Sequence, residues 1–330
     1  MTRSRIVGTG SCVPVRIVEN EEVGAPLGLG QAKIEALTGI RTRHWAAPAE
    51  ASSDLAVAAA LKACEAAGIA PSSLEAILVS TTSPDSVFPS TACHVQRALA
   101  AKGVLAFDLS ASCSGFLYGL SMADAMIRAG QVASCLVVAS EVKSRSLDLR
   151  DKETAILFGD GAGAVVLRRN DDSRPDASGI LGLRLYADGA GHDLIKIQAG
   201  GSRMPLSTDR LQAGDHQLRM KGSAVFRSAV RRLTHAITEL LKEFGLTVAD
   251  LKLVVAHQAN ARILEHLQRR LALSASAVHS VIDRYGNTSS ASLPIALDDA
   301  VRAGRLGAGD VLLMGAFGGG LTWATGVVRW

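Results

Sequence analysis

The sequence predicts an α/β protein assembled from two related halves, and three features carry that reading. Apolar runs of strand length alternate with amphipathic helical stretches, as when strands lie buried between layers of helices. A strand–glycine–strand pattern occurs twice, at "ILFGDGAGAVVL" (156–167) and "VLLMGAFGGGLTWATGVV" (311–328), each closing one half. Between them "RRNDDSRPDASG" (168–179) is polar, proline-bearing and turn-rich, which marks a connection. The expected halves are residues 1–170 and 171–330.

The N-terminal stretch is basic, but Gly8, Gly10, Pro14 and Arg16 interrupt any apolar block of signal length, so a cytoplasmic protein is expected. A helix follows from Ser53 to Ala67, capped by Ser52 or Ser53. "AILVST" (76–81), "CLVVAS" (135–140) and "LKLVVA" (251–256) read as buried strands, and Ser114 to Arg128 and Ser223 to Phe244 as amphipathic helices. "GDGAGA" imitates a dinucleotide-binding loop but runs on into strand rather than helix, which excludes that use. The uncharged stretch 311–328 approaches the length of a membrane span. Gly318, Gly319 and Gly320 in its middle would each weaken a helix by roughly 1 kcal/mol, so two strands around a glycine turn are expected.

Composition narrows the function. Hydrophobic residues make up 48% of the 330 positions and charged ones 20%, with a net charge of only +4, which describes a folded globular protein without a nucleic-acid-binding tail. The five cysteines, Cys12, Cys64, Cys93, Cys113 and Cys135, are odd in number and form no CxxC pair. A disulfide framework and a zinc site are therefore not expected.

Cys113 stands apart, in "DLSASCSGFLYG" (108–119), where a β-rich run hands over to a helix and only small residues flank the sulfur. At the first turn of a helix starting at Ser114, backbone amides and the helix dipole favour a thiolate, lowering the thiol pKa by about 1.5 units. Ser110, Ala111, Ser112, Ser114 and Gly115 permit a sharp turn and leave space for an acyl group. The competing reading is a buried structural cysteine. His257, just after a strand in "VVAHQANARI", and Asn287, in the turn of "RYGNTSSASLP", favour the catalytic one, because functional side chains gather at strand-to-loop junctions. A papain-like Cys–His–Asn protease lacks support, since the motif around its cysteine is missing here.

At these residues the sequence resembles the β-ketoacyl-acyl-carrier-protein synthase III family of the thiolase superfamily. "FPSTACHVQ", "SASCSGFLYGL", "LFGDGAGAVVL", "HQANARI", "YGNTSSASLP" and "GAFGGGLTW" all look like its motifs, in the family's order and across most of the chain. The resemblance implies a thiolase fold of two similar halves in α-β-α-β-α layers, a homodimer, and decarboxylative condensation of an acyl-coenzyme A primer with malonyl-acyl-carrier protein. It implies Cys113 as the acyl-accepting nucleophile, His257 and Asn287 as donors to the malonyl thioester carbonyl, and the Cys113 and Gly319 amides as oxyanion hole. Phe88 matches a residue that closes the partner subunit's acyl pocket. Lys33, Lys152, Phe226, Arg227, Asn260 and Arg262 fall at positions for pantetheine, coenzyme A or the acidic carrier protein, with Arg231 completing a basic rim. No metal or other cofactor is implied beyond coenzyme A and phosphopantetheine as carriers, and neither nucleic acid nor membrane is a partner.

The donor site departs from the family. Where E-W-I-x-x-R-T-G-I-R is usual, "AKIEALTGIR" (32–41) places Lys33 at the tryptophan and Leu37 at the arginine, and Lys152 replaces the arginine of D-R-x-T. Lysine stacks poorly on adenine but holds phosphates as a point charge. Three readings remain: a fatty-acid-initiating synthase, a side-branch synthase, or a non-catalytic partner subunit. The side-branch synthase would take an unusual primer, for example glutaryl-coenzyme A on the way to biotin, with Arg145 or Arg203 at the distal carboxylate.

Overall fold

The structure is a computed structural model and describes residues 3–330 except 173, 175 and 176. Two sheets form its frame. The first has five strands, in the order Arg3–Cys12, Gly161–Asn170, Ser134–Glu141, Ala76–Ser80, Leu105–Leu109. The second has four, in the order Gly179–Ala187, Thr322–Arg329, Val311–Gly318, Leu251–Ala256. Each begins with two antiparallel pairings and continues parallel.

The apolar runs become strands because both faces of each sheet are covered. Ala76–Ser80, Ser134–Glu141 and Val311–Gly318 are buried at every residue. Helices Gly115–Arg128 and Ser292–Arg302 lie between the sheets, where Leu117, Leu120, Ile127, Leu293 and Leu297 pack with residues of both. Burying each such side chain contributes about 1.5–3 kcal/mol. Helix Ser52–Ala66 covers the outer face of the first sheet, and Gly222–Glu243 with Ala261–Arg270 that of the second, completing α-β-α-β-α layers. Close packing demands glycine in the first strand: a Cβ at Gly10 would stand 2.3 Å from the Ala59 carbonyl oxygen.

The glycine stretch 311–328 is the expected hairpin, Val311–Gly318 paired with Thr322–Arg329. Among the described residues no helix is long and apolar enough to cross a membrane. Two expectations need correction. Residues 156–158 form no strand; only Gly161–Asn170 does, while Phe158 makes a single bridge to Asn287. The apolar side chains there face the cavity described below, which explains their composition. The first long helix starts at Ser52, one residue early, and neither serine caps it. Asp54 accepts from the Ala51 amide at 2.8 Å, and the Ser52 hydroxyl instead donates to the Ser83 carbonyl at 2.5 Å. In the connection 168–179, Arg168, Arg169 and Asn170 still belong to strand, and Ser173, Pro175 and Asp176 lie outside the described residues.

Candidate active site

A cavity of about 1080 Å³ runs inward between the two halves and brings Cys113, His257 and Asn287 onto one lining. Chain reversal after Leu105–Leu109 places the sulfur there. Ser112 adopts φ +49° and opens a 3₁₀ turn, Ser112–Ser114, which leads into the helix Gly115–Arg128. This turn presses on the second half so closely that a Cβ at Gly318 would lie 2.5 Å from the Cys113 amide nitrogen. Cys113 keeps 8% of its surface accessible.

His257 follows the parallel strand Leu251–Ala256, its amide donating to the Gly315 carbonyl at 2.7 Å. Burial pushes its imidazole pKa down to about 4, so the ring is neutral at physiological pH, and Nδ1 is buried without a partner. Asn287 is pinned through its backbone to Leu157 and Gly159, and its Oδ1 accepts from the Ser289 amide at 2.9 Å. That hydrogen bond orients the carboxamide, and Nδ2 is left available as a donor toward the cavity.

The thiol does not behave as expected. Burial raises the Cys113 pKa, outweighing hydrogen bonds from Ser289 and Ser112 and the nearby charge of Lys143. The resting enzyme therefore holds a thiol, and the expected thiolate needs a base. The reason is geometric: the α-helix begins at Gly115, two residues later, and the sulfur is almost wholly desolvated. Ser289 Oγ lies 3.4 Å from the sulfur and also reaches Glu141, a fully buried carboxylate. Burial works to raise the Glu141 pKa, but Lys143 at 3.2 Å and donors from Thr82, Ser83 and Ser290 hold it below the usual range. Gly319 lines the same cavity as Cys113, yet in the resting state its N–H donates to Ser112 Oγ at 3.1 Å.

This arrangement has close relatives. Residues 107–189 match the family described as 3-oxoacyl-[acyl-carrier-protein (ACP)] synthase III, and residues 241–330 match its C-terminal part. The chain is 45% identical to the β-ketoacyl-[acyl-carrier-protein] synthase III of Erythrobacter litoralis and 46% identical to that of Rhizorhabdus wittichii, over the whole of each chain. It belongs to the synthase III family. The crystal structure of 3-oxoacyl-[acyl-carrier-protein] synthase III from Aquifex aeolicus, 38% identical, superposes with a TM-score of 0.90 over 99% of this chain and 100% of that one. The fold is thus the thiolase fold of this family.

Against the synthase III pattern, the expected donor-binding residues gather at the mouth. Lys33, Leu37, Lys152, Phe226, Arg227, Asn260 and Arg262 all line the cavity, with Lys33, Lys152, Arg227 and Arg262 exposed. Asn260 and Arg262 also do structural work. The Asn260 side chain caps helix Ala261–Arg270 and donates to the Leu37 carbonyl at 3.3 Å, while Arg262 donates to Ala36 at 3.0 Å. Arg231 is exposed but lies off the lining. Phe88 is 87% exposed and does not line this chain's own cavity.

Arg145 and Arg203 are misassigned. Arg145 spends its guanidinium on the carbonyls of Ala47, Pro48 and Glu50, and neither arginine lines the cavity. Sequence reasoning also missed Lys143, Glu141, Ser112 and Ser289. One signal for the first two was present, two charges directly after the apolar run "CLVVAS", where the strand ends beside the nucleophile's turn. Among the described residues no cluster of histidine, cysteine, aspartate or glutamate is arranged to hold a metal ion.

Proposed function

We propose that the protein joins an acyl primer, delivered as its coenzyme A thioester, to malonyl-acyl-carrier protein with loss of carbon dioxide, yielding the 3-oxoacyl-carrier protein that starts a fatty acid. The supporting observation is convergence: a thiol from the first half and an imidazole and carboxamide from the second line one cavity. A scaffold subunit has no use for that trio.

In the first stage the Cys113 sulfur bonds to the primer's carbonyl carbon, the thioester bond to coenzyme A breaks, and the thiol proton ends on the departing coenzyme A. Neutral His257, with its unprotonated nitrogen in the same cavity, carries that proton. In the second stage the malonyl carboxylate leaves as carbon dioxide and its electron pair forms an enolate. Two donors, an imidazole N–H of His257 and Asn287 Nδ2, stabilise the oxygen that gains charge, at roughly 3 kcal/mol each. The enolate carbon then attacks the acyl carbonyl and expels the Cys113 sulfur as a thiolate, which takes up a proton from solvent to restore the resting thiol. The amides of Cys113 and Gly319 receive the tetrahedral oxygen once the Ser112 hydroxyl yields its place.

The mouth suits the carriers. Lys33 and Lys152 hold phosphates as point charges in place of an aromatic clamp on adenine. Arg227, Arg231 and Arg262 form a cationic rim that speeds encounter with an acidic carrier protein. Val87 and Phe88, 97% and 87% exposed, are an apolar pair that a second copy would bury in a homodimer. Intact mass after incubation with acyl-coenzyme A tests the reading: an acyl adduct is expected on Cys113 and lost in Cys113→Ala. No adduct from any donor would refute it.

A further inference from the structure

One buried cation in the cavity has no part in the condensation. Lys143 follows the strand Ser134–Glu141, is 5% exposed, and lines the same cavity as Cys113. The other lysines and arginines of that lining, Lys33, Lys152, Lys196, Arg227 and Arg262, are exposed. The Lys143 ammonium donates to Thr82 Oγ1 and pairs with Glu141, which leaves one of its three protons without an acceptor among the described residues.

Glu141 does not line the cavity. It is wrapped by the Thr82 amide and by hydroxyls of Thr82, Ser83, Ser289 and Ser290 at 2.7 to 3.2 Å. The carboxylate is therefore a fixed counter-ion behind the wall, and the ammonium is the face that the acyl group meets. Thr82 and Ser289, also on the lining, add hydroxyls beside it. An all-carbon tail packed here would strip water from the spare N–H and give nothing back, whereas an anionic oxygen would form a charge-assisted hydrogen bond.

We propose that Lys143 binds a carboxylate at the far end of the primer, so that the preferred acyl donor is a short dicarboxylic acid held as its monothioester. This rests on the synthase reading above and names the primer class that it leaves open. A chain of contacts joins the two groups: Ser289 Oγ lies 3.4 Å from the Cys113 sulfur and 3.2 Å from Glu141, and Glu141 lies 3.2 Å from the Lys143 ammonium.

The test compares acetyl-, butyryl-, succinyl- and glutaryl-coenzyme A on the full-length enzyme, following the Cys113 adduct by intact mass against time. Succinyl or glutaryl donors are expected to acylate at least about 10-fold faster than butyryl, the worth of one hydrogen bond to a charged group. Lys143→Met should invert that ratio and Lys143→Arg restore much of it. Because Lys143→Met strands Glu141, the double variant Lys143→Met, Glu141→Gln is assayed beside it. Wild-type enzyme that favours butyryl over both dicarboxylic donors overturns the assignment, as does an unchanged ratio in folded Lys143→Met or the double variant. Acetyl adducts without dicarboxylic ones defeat the Lys143 assignment alone, while no adduct from any donor defeats the synthase reading as well.

Discussion

The two halves repeat one design and differ in what they do with it. Each sheet runs through two antiparallel pairings into a parallel edge; in the second half the last strand shrinks to a single bridge between Val254 and Val278. From that edge each half turns through a serine of positive φ, Ser112 at +49° and Ser289 at +52°, into a 3₁₀ turn and then a central helix. The next residue is Cys113 in one half and Ser290 in the other. Cys113 lines the cavity, whereas Ser290 is fully buried and donates to Glu141 at 2.8 Å. A step earlier, strand Ala76–Ser80 is followed by Thr81, and strand Leu251–Ala256 by His257. The repeated turn creates a place for a reactive group, but only opening onto the cavity gives that place chemistry. The duplicate's hydroxyl is consumed in solvating a buried charge.

This contrast can be broken in five ways. Cys113→Ala should abolish the acyl-enzyme entirely, while Ser290→Ala, at the matching position, should still acylate; mass spectrometry of both distinguishes them. His257→Ala should slow acyl uptake at Cys113, which then lacks its proton carrier, and lose carbon dioxide release from malonyl-carrier protein by about 10²–10³-fold. Normal condensation by that variant would remove His257 from its role.

The third test uses pH. The folded pKa of His257 is depressed to about 4 from 6.5, so below pH 6.5 the unfolded chain binds a proton that the folded chain refuses. Stability should therefore fall as pH drops from 6.5 to 4, by about 3 kcal/mol from this group, and His257→Asn should flatten that slope in denaturant titrations. Ser290→Ala sharpens the comparison further, since it leaves Glu141 one donor short and should cost about 1–3 kcal/mol in urea unfolding. The smallest effect belongs to Ser112→Ala. Freeing the Gly319 amide should change the acylation rate by only about 3- to 10-fold, the worth of one neutral hydrogen bond.

Legibility followed physical locality. "LKLVVA" gave a strand at Leu251–Ala256 with both ends correct, because Leu253–Ala256 form the continuous apolar run that a strand covered on both faces needs, while Lys252 is exposed near its start. "ILF" (156–158) misled for the same reason: its apolar side chains line a cavity rather than a sheet. Ser52 and Ser53 looked like caps, but Asp54 took that task. Cys113, His257 and Asn287 were readable as residue types at chain reversals within ordered motifs. Arg145 was not, since its three carbonyl partners lie about a hundred residues away.

The sequence by itself determined the alternation of elements and the hairpin at the glycine run, and it singled out Cys113, His257 and Asn287 as candidates, all of which depend on neighbours within a few positions. Only the tertiary structure decided that Cys113 rests as a thiol, that Ser112 covers the Gly319 amide and that Lys143 lines the cavity beside Cys113. Those outcomes are set by desolvation and by partners up to 207 residues distant, as between Gly319 and Ser112, and no local pattern encodes them.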